Sequence, residues 1–235
     1  MTVKRTFNAT HLNEIANLPE VHCWLAGDGP VDLTALIANP LNVALECDEG
    51  GFLFVRGESG DYGVHTMFRP RSGAAIEAAL EAAEYMFIRT DCVRLTTWVA
   101  FDNEAAAKLA KFVGFVPLFT DDNNGSHHLE LTLDRWSATN SALEAEGHWF
   151  QRALHEAATA TPEKPPCEVH DRIVGASIWM MSSGNAAKGL WLHNRWAAHA
   201  NYPPWAALSL QPPIIHTGAS IMEIWPDNLE VLACR

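Results

Sequence analysis

Across the first 135 positions, short runs of β-branched and aromatic residues alternate with stretches whose apolar positions recur every three or four residues. Ala44 to Cys47, a break at Asp48-Glu49-Gly50-Gly51 and then Phe52 to Val55 predict a hairpin with a glycine turn. Tyr62 to Phe68 is the next expected strand, ended by Arg69-Pro70-Arg71-Ser72-Gly73. Ala74 to Ile88 predicts a helix, with Ile76, Leu80, Ala83 and Phe87 on one face and Glu77, Glu81 and Glu84 elsewhere. Val93 to Val99 is rich in β-branched residues and predicts a strand. Asn103 is placed to cap a helix over Glu104 to Val113 that stops at Gly114. Phe115 to Phe119 and His128 to Leu133 predict two further strands around a polar loop, Thr120 to Ser126. Upstream, Leu12 to Leu25 and Val31 to Ala38 predict helices, the second stopped by Asn39-Pro40, and Thr6 to Ala9 a first strand. This order implies an α/β (α+β) fold, a mixed sheet with helices on both faces.

The rest of the chain reads differently. Ser137 to Ala158 predicts a helix anchored by Leu143, Phe150 and Leu154, followed by a turn or linker from Thr159 to Pro166. Ile173 to Met181 predicts a strand, Asn185 to Ala200 a helix, and Ala219 to Trp225 and Leu229 to Leu232 two more strands. The implied organisation is a first domain at 1–135, a helix and Pro-rich linker at 136–166, and a small α/β extension at 167–235.

Composition narrows the function classes. Of 235 residues, 48% are apolar and 19% charged, which suits a packed fold. Twenty-eight acidic against 16 basic residues give a net charge of −12, which disfavours nonspecific nucleic-acid binding and docking on an anionic membrane. No apolar run reaches the roughly 20 residues of a spanning helix, and the first nine residues lack the apolar core of a secretory signal. Five scattered cysteines with no Cys-x-x-Cys suggest neither a disulfide framework nor a zinc ribbon, and a reducing compartment is expected. Six of the nine tryptophans fall between Trp136 and Trp205, which marks that region as an aromatic core or an interface with partner proteins.

Two stretches resemble the GNAT acetyltransferase superfamily. The first is a strand entering Pro70-Arg71-Ser72-Gly73-Ala74-Ala75 and then an Ala-rich helix, where the family has Gln or Arg, two residues, Gly, one residue, then Gly or Ala. Gly73 and Ala75 fit the last two fixed positions and Pro70 departs from the first. The second is Asn103, Ala106, Leu109, Gly114 and Phe115, which match the family's Asn-x-x-Ala-x-x-Leu-x-x-x-x-Gly-Phe helix without gaps. The resemblance covers about residues 1–135. It implies that the loop amides at Arg71, Ser72, Gly73, Ala74 and Ala75, with Asn103, bind an acyl-coenzyme A. The physical basis is general, since unpaired N–H groups and the positive end of a helix dipole favour an anion.

The departures point the other way. The family's tyrosine acid, seven residues after the asparagine, is Ala110 here and has no proton to give. Ala74 and Ile76 occupy places that are often glycine in active members. His65 is the lone titratable group on the strand Val64 to Phe68, either as a base toward an ammonium or as a packed strand histidine. Val64 to Phe68 and Tyr85 to Cys92 also resemble tailed-phage GNAT-like proteins labelled head-assembly proteins. Other constellations carry little chemistry. His127 and His128 point to opposite faces of a strand, His148 and His155 lack a third ligand, and Asp121 to Gly125 lacks a calcium loop's spacing, so no metal is expected.

Two functions follow. The leading expectation is a virion structural or assembly protein, located in the virion or host cytoplasm. Its degenerate GNAT-like domain would be a non-enzymatic scaffold without cofactor, and its 136–205 region would bind other subunits or a second copy. The alternative is an acetyl-coenzyme-A-dependent N-acyltransferase in which His65 or a water takes the amine proton.

Overall fold

The computed structural model describes residues 2–25, 29–139, 174–178, 180–182 and 186–200. The chain divides into two compact units, 1–132 and 133–235.

The first unit is built on a seven-stranded sheet. In chain order its elements are β1 (Lys4–Thr6), α1 (Thr10–Ala16), α2 (Pro19–His22), α3 (Thr34–Ala38), β2 (Val43–Cys47), β3 (Gly50–Arg56), β4 (Asp61–Phe68), α4 (Ala75–Arg89), β5 (Arg94–Ala100), α5 (Glu104–Val113), β6 (Val116–Asp121) and β7 (Ser126–Thr132). The strand order is β1-β2-β3-β4-β5-β7-β6. Every neighbouring pair is antiparallel except β4 with β5, which α4 connects as a parallel crossover. The mixed sheet with flanking helices agrees with the expected fold class.

Local sequence explains the boundaries. A Cβ on Gly51 would collide with the Leu45 carbonyl, and one on Gly50 with that of Met67. Both glycines therefore open β3 rather than sit in the turn, which is only Asp48-Glu49. The expected helix at Leu12 to Leu25 is two pieces, because Pro19 starts a new turn at the first position of α2. Residues 31–33 are not helical because Asn side chains take their backbone groups: Asn17 bonds the Val31 N–H and C=O at 2.8 Å each, and Asn13 accepts from Leu33 N. The first strand is Lys4–Thr6, earlier than expected, and the strands flanking Asp122–Gly125 extend into the expected loop.

The two faces of the sheet pack differently. On one, Leu12, Ile15 and Ala16 of α1 meet Leu53 and Met67 together with Val21 and Ile37. On the other, α4 buries Ala78, Ala79, Ala82, Ala83, Met86 and Phe87, while Ile76 and Leu80 are 44% exposed. The expected face through Ile76 and Leu80 is thus rotated. The sheet supplies the bulk, Phe52 and Phe54, so the helix presents alanines and lies close.

The second unit begins with α6 (Leu133–Thr139), four residues earlier than the helix expected from Ser137, whose expected span past residue 139 lies outside the described residues. Residues 174–178 and 180–182 are helical, which corrects the strand expected at Ile173 to Met181. Ala176 and Met180, four apart, are both buried, a helical spacing that a short apolar run does not distinguish from a strand. The expected helix over Asn185 to Ala200 is α7 (Ala186–Ala200). The linker at 159–166 and the strands at 219–225 and 229–232 lie outside the described residues. No helix among the described residues is long and apolar enough to cross a membrane.

Candidate functional site

The parallel pair β4/β5 holds for three residues only: Asp61 with Arg94, Tyr62 with Leu95 and Gly63 with Thr96. Side chains tie this end. Arg94 bonds Asp61 through Nε and Nη2 at 3.1 and 2.5 Å, and the Gly60 carbonyl accepts from both Val93 N and Arg94 N. Buried Asp91 accepts from Tyr62 Oη and from Arg56 Nη2, each at 2.6 Å. Burial, and then the bond to Asp91, pushes the Tyr62 hydroxyl well above the ordinary tyrosine range.

Past Gly63 the strands part. The last link is a side chain: Thr97 Oγ1 donates to the Val64 carbonyl at 3.1 Å. Alternate residues of a strand turn their main-chain groups to the same side, so Thr66 also faces the gap, where β5 offers it no pairing. A cavity of about 580 Å³ fills this wedge and reaches both faces of the sheet.

On the α4 face, the cavity is rimmed by the loop that joins β4 to α4. Arg69 N donates to Glu49 O and Ser72 N to Arg69 O, so residues 69–72 form a β-turn with Pro70 at its second position. Its third residue, Arg71, has φ 63°, the one non-glycine residue with positive φ among those described. Ser72 Oγ accepts from Ala74 N at 3.2 Å, and no side chain caps the first amides of α4. Gly73 has ordinary φ, and a Cβ there would meet nothing within 4 Å. Neither turn geometry nor packing requires glycine at that position, so the space beside it is open to another molecule. Arg71, Ser72 and Ala75 line the cavity, and Gly73 and Ala74 lie between them without lining it. Asn103 caps α5, its Oδ1 accepting from Ala106 N at 3.1 Å, and Gly114 closes that helix with φ 105°. Asn103 lines the cavity too, with an Nδ2 that has no partner among the described residues. So does Ala110, where the chain offers no acid.

On the opposite face stands His65. It shares that face with Met67, and its ring meets Trp98 edge-on at 6.2 Å between centroids. Burial lowers its pKa below the ordinary 6.5 and keeps the imidazole neutral at pH 7. Glu20, Trp24 and Trp98 line this side, and none was singled out from sequence. Glu20 and Trp24 come from α2 and the turn after it, well before β4 in the chain and inside the helix expected at Leu12 to Leu25. His127 and His128 face opposite sides, His127 tilted against Phe101 and His128 stacked on Phe119, and no metal cluster exists among the described residues.

The parted β4/β5 pair, the α4 loop and the capped α5 lie together on the mixed α/β sheet of the first unit. No family model and no curated protein matches the chain. Solved structures that are similar include the aminoglycoside acetyltransferase AAC(6')-Ib in complex with coenzyme A and kanamycin, 14% identical over 60% of this chain and 99% of that one, TM-score 0.48. Spermidine N-acetyltransferase from Vibrio cholerae, in complex with CoA and spermine, is 13% identical over 57% and 96%, TM-score 0.47. Ribosomal-protein-S5-alanine acetyltransferase from Vibrio fischeri is 15% identical over 57% and 93%, TM-score 0.45.

Proposed function

We propose that the first unit is an acyl-coenzyme-A-dependent N-acyltransferase. The observation that carries this reading is the parting of β4 from β5 after three paired residues, beside an uncapped helix start whose glycine has open space. A non-catalytic scaffold gives no reason for either feature. The geometry therefore favours the acyltransferase alternative over the virion-assembly role expected from the sequence. That role rests on Ala110, on Ala74 and Ile76 in the thinned loop, on the phage-like resemblance of Val64 to Phe68 and Tyr85 to Cys92, and on a Trp-rich region whose greater part lies outside the described residues.

The residues fit a phosphate-bearing coenzyme. Arg71 and the uncapped start of α4 at Ala75 give the cavity a cationic, donor-bearing side, and Asn103 Nδ2 adds a further donor to its lining. Such a coenzyme, when bound, supplies an acyl group as a thioester. Thr66, without a partner on β5, offers one main-chain N–H at the wedge, a preorganised donor that needs no side chain. His65, kept neutral by burial, is able to accept a proton from an amine.

Calorimetry with acetyl-coenzyme A tests the reading. Micromolar binding is expected, together with at least a thirtyfold loss in Gly73→Val at unchanged thermal stability, because the added side chain fills open space. No binding at millimolar ligand overturns the proposal.

A further inference from the structure

The cavity is sorted by charge. Its cationic lining residues are Arg69, Arg71 and Lys108, all on the loop or helix of the α4 face, and Lys108 is held 2.9 Å from Glu104. Its one acidic lining residue is Glu20, on the opposite face, with no ion-pair partner among the described residues. Trp24 and Trp98 line the same face as Glu20 and are 44% and 56% exposed. Singly exposed rings are ordinary. Here two indoles and a carboxylate line one cavity together with the His65 ring, which meets Trp98 edge-on.

Aromatic faces and a carboxylate suit a cation, and tryptophan is the best of the rings for that contact. The charge they would read is not on the reacting nitrogen. An amine attacks only when unprotonated, and neutral His65 marks where its proton would go. We propose that Glu20, Trp24 and Trp98 form a cation subsite for an acceptor that carries a second, fixed positive charge beside its reactive amine, a diamine or an amine bearing a quaternary ammonium. The role as an acceptor subsite rests on the acyltransferase reading; the cation site itself does not.

Two probes that cannot be N-acylated separate the questions: choline and its uncharged carbon isostere, 3,3-dimethylbutan-1-ol, titrated into the full chain by calorimetry or ligand-observed NMR. Choline is expected to bind at least tenfold tighter than the isostere, with a preference that shrinks as salt rises. Glu20→Gln should cut that preference three- to tenfold, and Trp98→Leu should cut it further than Trp98→Phe, which keeps a ring. Circular dichroism confirms that each variant is folded. Equal affinity for both probes, no choline binding at all, or a preference that survives both Glu20→Gln and Trp98→Leu overturns the cation site. Acetyl-coenzyme A titrated into the same samples reports the other reading independently. Its failure to bind the wild-type chain removes the acyltransferase role and leaves the cation preference as found. Its unchanged binding to Glu20→Gln is expected, because Glu20 lies on the far face.

Discussion

The two ends of the β4/β5 pair contrast within a few residues. At one end, Asp61 and Arg94 pair side by side, Asp91 gathers Tyr62 and Arg56, and the Gly60 carbonyl takes two amides. At the other, one threonine hydroxyl is the last link, and Thr66, opposite Phe52 of β3, has no partner on β5. The closed end is rich in polar bonds because it must hold a wedge open: strands that parted without a pinned apex would either close on each other or separate entirely. Stability and chemistry are therefore expected to divide along this pair, and the division is what mutation should break or sharpen.

The largest effect is expected at the apex. Asp91→Ala leaves the Tyr62 hydroxyl and the Arg56 guanidinium without their shared acceptor, and breaking a buried ion pair of this kind costs about 3 kcal/mol or more. Urea unfolding measures it, and a loss below about 1 kcal/mol, the worth of an ordinary neutral hydrogen bond, would show that the apex does not hold the wedge.

Arg71→Gly should move stability and binding in opposite directions. A non-glycine residue in the left-handed region costs about 1–2 kcal/mol, and glycine's extra unfolded-state entropy takes back about 0.5–1 kcal/mol, so a small net gain in stability is expected. Acetyl-coenzyme A affinity should fall about tenfold, or about 1.4 kcal/mol, with partial recovery in Arg71→Lys. A variant that loses both together would make Arg71 a structural residue only.

Thr97→Val tests the hinge between the two ends. The hydroxyl donates across the point where the strands part, and its loss should cost about 1 kcal/mol in thermal or urea unfolding. No measurable change would place the hinge elsewhere.

How far the sequence disclosed this arrangement depended on the range of the forces involved. Helix α5 was legible almost to the residue, because Asn103 and Gly114 act on their own backbone neighbours. The turn at Pro70 was legible for the same reason. The left-handed Arg71 was not, since an arginine gives no local signal for that conformation and only the surrounding turn imposes it. The buried face of α4 was misread because the phenylalanines that decide it lie on β3, and Ile76 and Leu80 carry the stronger hydrophobic signal. Glu20, Trp24 and Trp98 share a cavity through the fold alone, and nothing in the spacing of α2 and β5 joins them. The candidate loop and His65 were in view from the start, whereas the side that faces an acceptor emerged only in three dimensions.

The smallest effect expected is on pH dependence, and its sign is fixed by burial. His65 is depressed below its ordinary 6.5 when folded, so between that value and the depressed one the unfolded chain binds more protons than the folded one. Stability from this group is fully present above pH 6.5 and is lost as pH falls through the folded value. His65→Gln removes the titration. Unfolding curves of wild type and variant should therefore run parallel above pH 6.5 and converge or cross below it, as the wild type loses the advantage of a neutral, buried ring. Parallel curves throughout would mean that the ring titrates alike in the folded and unfolded chain, so that burial does not hold it neutral. The same profile taken with acetyl-coenzyme A bound would show whether filling the wedge buries the ring further and extends that window to lower pH.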